Sequence, residues 1–92
     1  MRVTTLADGR VRVVWGAAAL PDTLVADVQV WQPGDYWIDG GRWVDWRVGV
    51  KTVKATFTPK AGPGTYGFRA RVREPKLDAA SGWSPVQLIT ID

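Results

Sequence analysis

Side chains able to do acid–base, nucleophilic or metal chemistry are scarce in these 92 residues. Histidine and cysteine are both absent. That removes the commonest general base and every thiol nucleophile, and with them the usual catalytic triads. Carboxylates remain. Asp39 and Asp45 form one conceivable pair, since glycoside hydrolysis needs two carboxyl groups held at a fixed separation in a cleft. The plainer reading makes Asp39 a turn residue and Asp45 a solvated strand residue. The other acids are scattered, with nothing like the dense oxygen spacing of a calcium loop. We therefore expect no catalytic residues, no metal, no cofactor and no enzyme.

Aromatic and basic side chains carry more information. Six tryptophans in a chain of this length are unusual. Trp15, Tyr66 and Phe68 are assigned to the structural core. Trp31, Trp37, Trp43, Trp46 and Trp83 cannot all fit inside so small a domain, and large exposed aromatics commonly mark a contact surface. The candidate interface is Trp31, Tyr36, Trp37, Trp43 and Trp46. Such rings could anchor another protein subunit in pockets, or stack flat on sugars. They could also fold back over their own sheet as cross-strand pairs, which stabilise sheets by themselves. Arg69, Arg71 and Arg73 form a basic stripe, ~7 Å apart along one strand face. Asp27 and the faces of Trp31 or Trp83 are suitable partners for it. A nucleic-acid groove is the alternative for basic plus aromatic surface, but the net charge is only +3 and acids are interspersed.

The elements that would position these residues are strands. Val11-Arg12-Val13-Val14-Trp15 alternates, with Val11, Val13 and Trp15 on one face, as a half-buried strand does. Asp8-Gly9 ahead of it is a two-residue hairpin signal. Leu24 to Gln32 turns Ala26, Val28 and Val30 inward and Asp27, Gln29 and Trp31 outward. Tyr36-Trp37-Ile38 and Arg42 to Trp46 flank Asp39-Gly40-Gly41 and predict a second hairpin. Val48 to Phe57 continues as strand. Pro59 to Gly64 makes a corner. Thr65 to Glu74 is the longest alternation, with Tyr66, Phe68, Ala70 and Val72 opposite the arginines. Pro75 to Pro85 is a long loop, and Val86 to Ile91 closes the sheet. A hydrophobic fraction of 46% fills one small core without disulfide staples. The expected fold is all-β: a seven-stranded antiparallel two-sheet sandwich spanning 1–92, with an aromatic hairpin protruding around residues 36–46.

Trp15 on the second strand, Pro63-Gly64-Thr65-Tyr66 opening the sixth and Gly82-Trp83-Ser84-Pro85 before the last are shared with a known family. The chain resembles a fibronectin type III domain over most of its length. The resemblance implies a core role for Trp15, and a tyrosine corner in which the Tyr66 ring enters the core while its hydroxyl bonds backbone upstream. Lys60 departs from the pattern, standing where a leucine is usual. Trp83-Ser84 is half of the repeated Trp-Ser signature of the cytokine-receptor branch, which implies layers of Arg and Trp but not receptor function. The fold is reused too widely to name a function. The reading adopted is a non-catalytic structural or interaction module, most concretely a virion component (phage tail or capsid decoration) or part of a surface assembly. Its partners would be other protein subunits or copies of itself, with glycans as a further candidate class, and with no nucleic acid and no membrane insertion. No secretory signal follows Met1, so synthesis in the cytoplasm before assembly on a virion or extracellular surface is expected. The alternatives are a carbohydrate-binding accessory domain of a longer secreted enzyme and an inert spacer.

Overall fold

The computed structural model describes residues 1–16, 18–33, 42–60 and 62–92, with Arg42 described by its backbone alone. Tyr36, Trp37, Asp39 and the tip of the expected 36–46 hairpin lie outside the described residues. In chain order the strands are β1 (Arg2–Thr5), β2 (Val11–Val14), β3 (Val25–Gln32), β4 (Arg42–Val50), β5 (Lys54–Phe57), β6 (Gly64–Glu74), β7 (Ala79–Ala80) and β8 (Gln87–Ile91). A 3-10 turn, Pro75–Leu77, precedes β7. The fold is all-β, with two antiparallel sheets. One has the order β1-β2-β5; the other has the order β4-β3-β6, with β7 and β8 both pairing to β6.

Alternation sets which face each strand buries. Val11 and Val13 of β2 are fully buried while Arg12 between them is exposed. On β6, Tyr66 and Phe68 enter the core, joined by Val30 of β3 and Phe57 of β5. Phe57 sits at the centre of an edge-to-face cluster, with ring centroids 5.3 Å from Phe68, 5.4 Å from Trp46 and 5.7 Å from Tyr66. Trp15 meets Trp46 at 6.2 Å, also edge to face. Each such contact adds about 0.5–1.5 kcal/mol beyond the apolar area it buries. The Tyr66 hydroxyl donates to the Gly62 carbonyl at 2.7 Å, four residues upstream.

Three local expectations need correction. Val48 to Phe57 is not one strand. β4 ends at Val50, and β5 starts at Lys54 in the other sheet. Trp15 clips this crossover: its backbone N–H donates to Val53 O at 2.8 Å and its indole N–H to Thr52 O at 2.9 Å. The Lys51 ammonium adds bonds to the carbonyls of Asp22 and Leu24. Next, Asp8-Gly9 is not a two-residue turn. Gly9 N–H bonds Leu6 O, Leu6 N–H bonds Arg10 O, and Gly9 has φ +87°. The loop is Ala7-Asp8-Gly9, with glycine supplying the left-handed residue of a three-residue hairpin connection. Finally, the Pro75–Pro85 stretch is not all loop, since it holds the 3-10 turn and the two-residue β7. Among the described residues β7 makes an eighth strand, where seven are expected.

Candidate functional site

The outer face of the larger sheet gathers most of the polar and aromatic residues singled out above. Because side chains alternate, turning Tyr66, Phe68, Ala70 and Val72 inward sets Gly67, Arg69, Arg71 and Arg73 on this face. Across the β3–β6 ladder the pairs are Asp27↔Arg71, Gln29↔Arg69 and Trp31↔Gly67. Across β3–β4 they are Gln29↔Asp45 and Trp31↔Trp43.

Asp27 is the electrostatic hub. It is 2% exposed. Its Oδ2 accepts from Arg71 Nε at 2.9 Å and Arg73 Nε at 2.5 Å, and its Oδ1 from Arg73 Nη2 at 2.9 Å. The fourth donor is the Gly49 backbone N–H, at 3.0 Å. A bulge on β4 brings that N–H inward: Ala26 faces Val50 and Val28 faces Arg47, so one extra residue is accommodated there. Gly49 has φ +65°, which a side chain would resist. Burial by itself would raise the Asp27 carboxyl pKa. The bonds from Arg73, Gly49 and Arg71 outweigh it and hold the pKa at about 2. Reciprocally, Asp27 raises the pKa of Arg73.

Arg69 is held differently. Its Nε and Nη2 both donate to Gln29 Oε1, at 2.9 and 2.6 Å, and Gln29 Nε2 donates to Asp45 Oδ1 at 2.9 Å. The guanidinium lies 4.1 Å from the Trp43 ring centroid and 4.7 Å from that of Trp83. Arg71 meets the Trp83 ring at 4.7 Å as well. The order across the face is thus Trp43, Arg69, Trp83, Arg71, Asp27 and Arg73, with cations and rings in contact. Each cation–π contact contributes about 0.5–1 kcal/mol at such half-exposed positions.

Trp83 reaches this position through the two serines around it. Ser81 N–H donates to Val72 O at 2.8 Å, and Val72 N–H donates to Ser81 Oγ at 3.0 Å. Ser84 repeats the arrangement with Ala70, at 2.8 and 3.0 Å. The segment between β7 and β8 therefore pairs with β6 by alternating backbone and hydroxyl bonds, and Trp83 projects over the arginines from between the two clips.

The tryptophans divide by face. Trp43, Trp83 and Trp31 lie on the outer side. Trp31 backs onto Gly67, where an added Cβ would meet Leu88 Cδ2 and Val86 Cγ1 at 3.2 Å and Trp31 Cβ at 3.4 Å. Trp46 and Trp15 pack against the core from its margin. Trp46 faces inward by alternation with Val44, and a second β4 bulge falls at it, between Asp45↔Gln29 and Arg47↔Val28. The Arg47 guanidinium covers its ring at 4.8 Å. A cleft of about 360 Å³ opens beside Trp46, lined also by Gln32, Thr56, Phe57, Thr58 and Lys60.

The arrangement is suited to holding a surface rigid. Among the described residues no three His, Cys, Asp or Glu gather as a metal site, and Asp45 is engaged by Gln29. The Asp27 partnership and the Trp83 stacking are what the residue types anticipate. Gln29 as the fork acceptor for Arg69 is not foreseen, though its parity with Asp27 on β3 carried the signal. The two serine clips are equally unforeseen, and Ser81-x-x-Ser84 around Trp83 is their only trace in the sequence. No protein-family model, curated protein or solved structure matches the chain.

Proposed function

We propose that the chain is a non-catalytic interaction module of the fibronectin type III kind, working as a subunit of a virion (phage tail or capsid decoration) or of another surface assembly. Strands one, two and five lie apart from strands three, six and the last, which is the partition of immunoglobulin-like sandwiches. The bond from Tyr66 to Gly62 and the packing of Trp15 at the core margin support the same family. The observation that carries the functional reading is the closure of the outer-face ladder. Arg69, Arg71 and Arg73 are engaged by Trp43, Trp83, Gln29 and Asp27, so groups that could otherwise grip phosphates or do chemistry instead brace a sheet. A braced sheet is a good platform for protein contacts, and many copies make modest contacts add up.

The cleft beside Trp46 favours one second reading, a carbohydrate-binding accessory domain. An indole with Gln32, Thr56 and Thr58 around it has the mixture of ring and hydrogen-bonding groups that a sugar uses. Intrinsic tryptophan emission during titration with a panel of polysaccharides separates the two. The interaction-module reading predicts no saturable shift with any glycan. A saturable shift that Trp46→Phe abolishes would replace it with the second reading.

A further inference from the structure

Charge is divided unevenly between the two sheets. β1, β2 and β5 hold three basic residues, Arg2, Arg12 and Lys54, and no acid. The rest of the chain is balanced, with the other nine of the twelve basic residues against all nine acids, so the formal excess of +3 falls on the smaller sheet. Alternation puts it on the outer side. Val11 and Val13 are buried and Val3 packs against the core, which turns Arg2, Thr4, Arg12 and Val14 outward. Register gathers the cations: Arg2 and Lys54 both pair with Val14, and Arg12 pairs with Thr4 and Thr56. Strand spacing then sets the three positions roughly 8–10 Å apart. An open depression of about 410 Å³ lies beside two of them, lined by Arg12, Lys54, Ala55, Thr56 and Leu6. Elsewhere the chain answers its cations, with Asp27 opposite Arg71 and Asp8 holding Arg10. Here the cross-strand neighbours are threonines and a valine. All three cations are exposed, and among the described residues none of them makes an ion pair or a side-chain hydrogen bond. Like charges on neighbouring strands weaken a sheet, so stability does not account for the patch.

We infer that this face is a docking surface for an acidic patch on another protein subunit, whose Asp and Glu carboxylates meet Arg2, Arg12 and Lys54. The inference rests on the interaction-module reading and names one contact. Complementarity selects the occupant. A second copy meeting it face to face would bring like charges together, and the remainder of the chain has no excess of acid to offer. Single-stranded nucleic acid is held by stacking on aromatic rings, and the outward positions of β1, β2 and β5 carry none. The same lack disfavours sugars. Duplex binders typically neutralise about 6–10 phosphates, against the three cations of this face. Carboxylates on a protein need no ring, and the Thr4 and Thr56 hydroxyls beside Arg12 supply further donors to them. Charges this exposed govern encounter rate and orientation more than affinity.

Calorimetric titration of the purified chain with poly-L-glutamate at low salt tests this, on the wild type and two double variants of equal net charge. Arg12→Gln with Lys54→Gln neutralises the face. Lys60→Gln with Lys76→Gln removes two exposed charges elsewhere. Wild type and the second variant should bind alike, and the face variant roughly three- to thirtyfold more weakly. The face variant also relieves like-charge repulsion, so it should melt no lower than wild type. Absence of binding by the wild type would overturn the site. Equal weakening in both variants would do the same, because net charge alone would then explain it. Tighter binding to a DNA duplex or to dextran sulfate than to poly-L-glutamate, weakened by the same face variant, would overturn the choice of partner. The interaction-module reading fails separately, in the Trp46-dependent glycan titration.

Discussion

Replacing Asp27 by Asn tests how much of the fold depends on the outer-face ladder. The change keeps size and shape, removes a buried carboxylate, and turns an NH2 group toward guanidiniums that can only donate. Four hydrogen bonds end on Asp27, three of them from charged donors. Losing one partner of a buried ion pair costs about 3–5 kcal/mol. Arg71 and Arg73 keep 34% and 29% of their side-chain surface in water, so they recover some hydration. About 3 kcal/mol is the expected loss, equivalent to a Tm lower by roughly 12–24 °C for a domain of this size. Urea unfolding at pH 7, followed by tryptophan emission, reads it directly. Acid supplies a second axis. The folded-state carboxyl titrates at about 2, below its value in the unfolded chain. Its stabilisation is therefore complete above the ordinary carboxylate range and disappears as pH falls from ~4 to ~2, by up to about 2 kcal/mol. Asp27→Asn lacks this component, so the gap between variant and wild type should narrow by that amount in acid. A loss under ~1 kcal/mol at neutral pH, or a gap that does not change with pH, would refute the claim that Asp27 organises this face.

Other outcomes follow from the same geometry. Tyr66→Phe removes the hydroxyl and its bond to Gly62 O, and should cost about 0.5–1.5 kcal/mol in urea unfolding with the m-value unchanged. Gly67→Val drives a side chain into Leu88, Val86 and Trp31 at once. It should destabilise by about 1–3 kcal/mol, and a neutral result would mean that this strip is not packed as described. Phe57→Ala empties the centre of the aromatic cluster and should cost about 3–5 kcal/mol by thermal or urea unfolding.

Much of the architecture is legible in alternation. Val11, Val13, Tyr66 and Phe68 lie where period two puts them, and the opposite parity of β6 aligns the three arginines across from Asp27 and Gln29. The sequence hides what depends on sheet-to-sheet geometry. Val48 to Phe57 reads as a continuous strand because both halves are apolar and β-branched. The break is imposed by two bulges and by Trp15 gripping the carbonyls of Thr52 and Val53. Trp43 and Trp46 are three residues apart, so alternation sets them on opposite faces, and Trp46 meets Phe57 and Phe68 while Trp43 stacks on Arg69. At β8 the ambiguity is of another kind. Leu88 and Ile89 are adjacent and both apolar, so alternation alone cannot say which is buried; the pairing with Gly67 and Tyr66 decides it.

The claim that the chain works through contact with other protein subunits is tested most directly by its size in native material. Gradient sedimentation of an unfractionated lysate from the source, with the chain followed by a specific antibody, should find it in a fast-sedimenting particle. That particle should persist when polysaccharide is digested away. Recovery of the chain solely as a slow species of about its own mass would contradict the account, as would its release from the particle on glycan digestion.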